Sequence, residues 1–143
     1  MYYIAYGSNL NKQQMKLRCP DSKIVGTAVI EDYQLLFKGL LDNSYLTIEP
    51  KKGYSVPVAV FEVSESDIKN LDVYEGYPEL YFKCTLRVKV NNEELEAFIY
   101  IMNNLKCNVP SELYYNVCKQ GYEDFNFDKS ILDKAIMETV ERL

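Results

Sequence analysis

The sequence contains no histidine and no tryptophan. The missing histidine excludes the most: Ser-His-Asp and Cys-His nucleophile systems, imidazole proton shuttles and every metal site that uses imidazole. Acid–base chemistry near neutral pH then falls to a retuned carboxylate, a cysteine, a lysine or a tyrosine. Clustered positive charge is also missing. There are 16 Lys+Arg against 21 Asp+Glu, a net charge of −5, and Lys51-Lys52 is the only adjacent basic pair. That is not the footprint of a chain that binds nucleic acid, and no such partner is expected. Cys19, Cys84, Cys107 and Cys118 show no CxxC spacing, which gives a zinc or dithiol site no support and reads as buried, reduced thiols. Long apolar runs are lacking as well. The longest uncharged stretch, Met1–Asn11, is too short to span a bilayer, is interrupted by Gly-Ser-Asn and has no basic flank of a signal peptide. The expectation is a cytoplasmic protein with no membrane partner, no metal and no cofactor.

What is present is ordinarily globular: 143 residues, 48% hydrophobic, with 13 tyrosines. A chain of this length buries roughly 68–70% of its unfolded surface, enough for a core without staples. No repeat, low-complexity tract or linker divides it, so residues 1–143 read as one domain. Met1–Tyr6 reads as a short, fully apolar, buried strand, followed by one or two helical turns over Asn11–Arg18. Ile24–Phe37 is strand-like with a bend at Glu31-Asp32, and Tyr45–Ile48 and Val56–Val63 are strand-like around a turn at Lys51–Gly53. Ser64–Asp67 has capping-box spacing and opens a short helix that Gly76 stops, with Pro78 beyond. Leu80–Val90 and Leu95–Met102 alternate around Asn91-Asn92, a hairpin pattern. Pro110-Ser111-Glu112 opens a helix to about Gly121, and Asp128 caps a last helix with the apolar stripe Leu132, Ala135, Ile136, Thr139, Val140 and Leu143. Strands first and helices last predict an α+β fold, a strongly curved sheet or small barrel with helices outside.

Three places could carry chemistry. At Tyr6-Gly7-Ser8-Asn9-Leu10 a buried strand runs straight into a helical turn, leaving backbone N–H groups without ladder partners. Such groups form an anion-binding concavity, although the same residues also suit a plain strand-to-helix cap. In Leu71-Asp72-Val73-Tyr74-Glu75-Gly76, Glu75 stands at the negative end of its helix, near Asp72 and Glu79 and between Tyr74 and Tyr77. Each of these surroundings favours the protonated carboxyl and raises it toward the range of a general base. Alternatively, Glu75 is a solvated residue before a glycine cap. Among the tyrosines, Tyr81 follows the loop after Glu75 and Tyr114 heads the penultimate helix, whereas Tyr2, Tyr3, Tyr33, Tyr45, Tyr54 and Tyr100 read as ordinary strand residues.

Taken together, Tyr6-Gly7-Ser8-Asn9-Leu10, then Leu71-Asp72-x-x-Glu75-Gly76 with Tyr81 after it, then Pro110-Ser111-x-x-Tyr114 with Gly121 beyond, resemble the γ-glutamylcyclotransferase family, the AIG2/butirosin-biosynthesis-like superfamily. The resemblance runs over essentially the whole chain. It implies a small closed, mixed β-barrel with flanking helices. It also implies a cofactor-free enzyme of acyltransferase or lyase type, in which the α-amine of a γ-glutamyl group attacks its own side-chain carbonyl and 5-oxoproline is released. Glu75 matches the family's acid/base glutamate. Tyr3, Ile4, Ala5, Tyr6, Gly7, Ser8 and Asn9 match its substrate cradle, Tyr114 a substrate-contacting tyrosine and Tyr81 a cavity wall. Gly-Ser-Asn is closer to the γ-glutamyl-amino-acid branch than to the branches with Gly-Ser-Leu or Gly-Thr-Leu, and the loop around Asp42–Ser44 that would help select the leaving group is small. The implied partner is a small γ-glutamyl substrate, handled by a monomer or homodimer. A non-catalytic binding module of the same fold, for a small γ-glutamyl or acidic metabolite, is the alternative.

Overall fold

A computed structural model describes residues 1–40 and 43–143; Asp42, part of the loop just named, lies outside them. In chain order the elements are β1 (Tyr2–Ala5), a 3-10 turn (Ser8–Leu10), α1 (Lys12–Arg18), β2 (Lys23–Leu40), β3 (Asn43–Glu62), α2 (Glu65–Glu75), β4 (Tyr81–Val90), β5 (Glu93–Met102), α3 (Glu112–Asp124) and α4 (Ser130–Glu141). The five strands form one sheet in the order β2-β3-β1-β5-β4. β1 is the central strand, antiparallel to β3 (Ala5 opposite Ala59) and parallel to β5 (Tyr3 opposite Phe98). A strand buried on both faces needs an apolar sequence without alternation, and Tyr-Tyr-Ile-Ala supplies one.

The α+β architecture is as expected, and the hairpin at Asn91-Asn92 is present, with both residues at positive φ (52° and 68°), as a two-residue turn between twisted strands requires. Two expectations change. The bend at Glu31-Asp32 and the turn at Lys51–Gly53 do not end strands; they face one another inside the β2–β3 ladder, where pairing jumps from Glu31 opposite Ser55 to Tyr33 opposite Pro50. Asp32 (φ 62°) accepts the Gly53 N–H (3.0 Å) across this irregularity. Second, the sheet curls but does not close: among the described residues no ladder joins the edge strands β2 and β4. The edges meet through a side chain instead, Val90 lying so close to Gly26 that an added Cβ would be 2.6 Å from its Cγ1, beside a bulge between Ile24 and Gly26. Helix packing also differs in detail. In the last helix Leu132, Ala135 and Thr139 are buried, whereas Val140 and Leu143 at the far end of the stripe are exposed. Thr139 Oγ1 accepts the Phe37 N–H (3.0 Å), which holds α4 on β2. All four cysteines are free; Cys19 and Cys118 are buried, Cys84 and Cys107 only partly. Among the described residues no helix is long and apolar enough to cross a membrane.

Gly121 is not a helix stop. It lies inside α3, where a Cβ would fall 2.6 Å from the Asn11 backbone nitrogen and 2.7 Å from the Leu10 carbonyl carbon. The helix thus presses backbone to backbone on the turn that follows β1. Alanine ordinarily gains up to about 1 kcal/mol over glycine in a helix, but here the obstacle is rigid main chain. Gly121→Ala is therefore expected to destabilise the fold by about 1–3 kcal/mol net, measurable as a lower midpoint in urea or thermal denaturation.

Candidate active site

Where β1 ends, the chain leaves the sheet at Tyr6 and tightens into the Ser8–Leu10 turn, with Leu10 N–H on the Gly7 carbonyl (3.0 Å) and Asn11 N–H on the Ser8 carbonyl (3.0 Å). The N–H groups of Gly7 and Ser8 enter no backbone hydrogen bond among the described residues. α2 approaches from the other side. Its start is fixed by the expected capping box, Asp67 N–H on Ser64 Oγ (3.1 Å) and Ser64 N–H on Asp67 Oδ2 (3.2 Å). Its end is fixed by Gly76 at φ 66°, with Gly76 N–H on the Val73 carbonyl (3.2 Å) and Tyr77 N–H on the Asp72 carbonyl (3.0 Å). This left-handed closure places Glu75 at the very end of the helix.

Between the turn and the end of α2 is a cavity of about 310 Å3, within the range of small-molecule sites. It is lined by Tyr3, Ile4, Tyr6, Gly7, Ser8, Asn9, Glu75, Tyr81 and Tyr114, so the three separated sequence segments meet around one space. Ala5 does not line it; its single methyl is buried in the ladder opposite Ala59. Tyr45, Leu46, Val73, Tyr74, Gly76, Leu80 and Tyr100 complete the enclosure. Tyr45 and Tyr100 had the look of ordinary strand tyrosines, and nothing in their local sequence distinguishes them from Tyr2 or Tyr33. A shallow groove of similar size between α1 and β2, lined by Lys12, Met15, Lys16, Ser22, Ile24 and Phe61, contains no carboxylate.

The walls are held by the side chains' own hydrogen bonds. Tyr81 Oη donates to the Leu46 carbonyl (2.8 Å) and Tyr114 Oη accepts from the Leu46 N–H (3.1 Å), so both backbone polar groups of one β3 residue are satisfied by two phenols. Tyr6 Oη donates to the Tyr100 carbonyl, Asn9 Nδ2 donates to Tyr3 Oη (2.9 Å), and Ser8 Oγ and the Tyr74 hydroxyl share a bond of 2.8 Å. A Cβ added at Gly7 would meet Tyr114 Oη and Leu46 Cβ, each at 3.4 Å, so the glycine leaves open the space over which Tyr114 stands.

Electrostatically, Glu75 is the group set apart. It is partly buried and lines the cavity, and desolvation pushes its carboxyl up from 4.5 to about 7, against an opposing pull from the Arg18 guanidinium. Burial also raises the phenols of Tyr3, Tyr6, Tyr81 and Tyr114 well above their ordinary value, so these stay protonated. The cavity therefore combines one carboxyl able to take and return a proton near pH 7 with neutral donors and free backbone N–H groups.

Residues 3–121 match the family described as Gamma-glutamyl cyclotransferase, AIG2-like. The chain belongs to this family. It is 27% identical to the Gamma-glutamylcyclotransferase of Mus musculus over 141 residues, covering 92% of this chain and 75% of the mouse protein. The Gamma-glutamylcyclotransferase of Homo sapiens is likewise 27% identical over 131 residues, 85% of this chain and 70% of the human protein. In three dimensions the chain is similar to a solved Gamma-glutamyl cyclotransferase structure, with a TM-score of 0.83 at 24% identity over 94% of this chain and 85% of that one.

The raised carboxyl of this cyclotransferase-family chain has a consequence for stability. Glu75 binds its proton more tightly folded than unfolded, so the folded state gains protons relative to the unfolded one between about pH 4.5 and about pH 7. Stability from this source is fully present below pH 4.5 and is lost as pH rises through 7. Glu75→Gln, which cannot ionise, is expected to be more stable than wild type at pH 8 by up to about 3 kcal/mol. The difference should vanish near pH 4, as read from denaturation midpoints at the two pH values.

Proposed function

We propose that the protein is a γ-glutamyl cyclotransferase that releases 5-oxoproline, with Glu75 as general acid and base. The observation that carries this reading is that one cavity holds both the Gly7-Ser8 backbone and Glu75, whose carboxyl is poised at about 7. In this reading the γ-glutamyl α-amine, once deprotonated by Glu75, attacks the γ-carbonyl. A carbon–nitrogen bond forms within the ring, the original amide bond breaks, and Glu75 returns its proton to the departing nitrogen, which leaves as an amine and takes up the second proton that the ring nitrogen sheds. The nucleophile is part of the substrate, and holding it beside the carbonyl supplies proximity worth up to about 7–11 kcal/mol. No protein nucleophile is required, which suits a chain without histidine.

The N–H groups of Gly7 and Ser8 are the donors available to the carbonyl oxygen as it becomes an oxyanion, or to the substrate's α-carboxylate. The tyrosines, held neutral by burial, give the cavity polar edges without adding charge that would compete with Glu75. The missing side chain at Gly7 admits the substrate between the turn and Tyr114. The partner is accordingly a small γ-glutamyl compound whose leaving group is an amino acid or amine.

Incubation with a panel of γ-glutamyl amino acids, γ-glutamyl amines and glutathione is expected to release 5-oxoproline from at least one. Glu75→Gln should lower kcat about 10^2–10^4-fold while calorimetry still detects substrate binding. Tight binding of a γ-glutamyl compound that stays intact with wild-type protein would instead support a binding module. A separate variant tests the cradle. Gly7→Ala adds only contacts of ordinary length, so its melting temperature should stay close to wild type while its KM rises at least several-fold.

A further inference from the structure

We propose that Arg18 is a positioning residue of the candidate site, holding the two walls of the cavity together and providing the positive charge that faces Glu75. Arg18 is in the last turn of α1 and does not line the cavity. Its guanidinium carbon lies 3.5 Å from the centroid of the Tyr74 ring, a stacked cation–π contact onto α2. One guanidinium nitrogen donates to Asn9 Oδ1 (2.7 Å) on the turn after β1, and the other donates to Gln14 Oε1 on its own helix. The Arg18 carbonyl accepts from Asn70 Nδ2 of α2 (2.9 Å), so backbone and side chain both cross to that helix.

Two of the three partners of the guanidinium, Asn9 and Tyr74, lead into the cavity. Asn9 passes the contact on to Tyr3 Oη, and Tyr74 passes it on to Ser8 Oγ. A single planar cation thus fixes one group from each wall, and the second of those groups is bonded back to the first wall. Lysine reproduces the charge but neither the flat stack nor the divided fork of donors.

The charge has a second effect. The titratable groups within electrostatic reach of Glu75 are Tyr3 on β1, Tyr6 beyond it, Tyr74 on α2, Tyr81 on β4, Tyr100 on β5 and Cys118 on α3. Burial pushes all six upward, so they are neutral at physiological pH. Asp72, three residues before Glu75, is held by Lys83 Nζ (2.8 Å) and Tyr100 Oη (2.6 Å). On the outer flank of Arg18, Asp21 accepts from Ser64 Oγ (2.8 Å) and Asp67 accepts the N–H groups of Ser64 and Asp21. Arg18 is therefore the cation, among the described residues, that counteracts the desolvation of Glu75. With it in place the carboxyl stays near neutrality; without it, burial acts unopposed.

This proposal rests on Glu75 as the proton carrier, and its test is built to fail separately from that reading. The Glu75 carboxyl is followed by carbon-13 NMR in glutamate-labelled protein, with Glu75→Gln identifying the resonance. Arg18→Met is expected to shift the Glu75 titration to higher pH, and Arg18→Lys to leave it near the wild-type position. In the 5-oxoproline assay both variants should lose about tenfold in kcat. Arg18→Met should lose further at pH 6 than at pH 8.5, because its Glu75 is then more protonated. If the titration in Arg18→Met superimposes on wild type, or kcat in both variants stays within twofold, the proposal is overturned. If Arg18→Met does not fold, Arg18→Lys decides: full kcat there means that the fork and the stack have no positioning role. A wild-type protein that turns over nothing overturns the proposed function alone, and the titration still decides the place of Arg18.

Discussion

The arrangement depends on one contact without a side chain. At Gly121 the third helix rests directly on the Leu10–Asn11 peptide, so it reaches the turn after the first strand more closely than any other residue would allow. Two turns earlier on the same helix is Tyr114, whose hydroxyl takes the Leu46 N–H and stands over Gly7. Moving the helix outward by the width of a methyl would carry Tyr114 away from both. Close backbone packing at one end of the helix thus becomes placement at the other, and the rigidity of the interior carries it between them.

Glu75 shows the opposite economy. Its carboxyl is partly buried in a cavity whose tyrosine hydroxyls are satisfied elsewhere, and it is held at a helix end where the backbone carbonyls do not favour its charge. Nothing in this stabilises the fold above neutral pH. Such locally unfavourable placement is characteristic of groups retained for chemistry, and it is tolerated because the capping box at one end of α2 and the glycine closure at the other are both well made.

What the sequence reveals and conceals follows the range of the forces involved. The Ser64–Asp67 box, the Gly76 closure and the Asn91-Asn92 turn are local, each satisfied within a few residues, and each is legible as written. Glu75, the Gly7-Ser8 turn and Tyr114 are legible too, although only their common order in a family tied them together. Gly121 was read by its usual local meaning, a helix stop, whereas its reason is a contact with residues more than a hundred positions away. Tyr45, Tyr100 and Arg18 are hidden for the same cause, since a strand tyrosine or an arginine in a basic helix turn looks alike whether it faces solvent or a cavity. The open sheet escaped as well. Closure depends on whether two edges meet through peptides or through a side chain such as Val90, and alternation along either strand carries no sign of that.

The doubly satisfied backbone of Leu46 bears on more than the cavity wall. A long strand that parts from its neighbour exposes main-chain donors and acceptors, and these invite another extended chain to add on. Here Tyr81 and Tyr114 occupy both backbone groups of that residue from within the same molecule. A space large enough for a metabolite can then remain in the middle of a sheet without offering a docking edge to a second polypeptide. The phenols that shape the pocket thus also close one point of an otherwise unpaired strand edge.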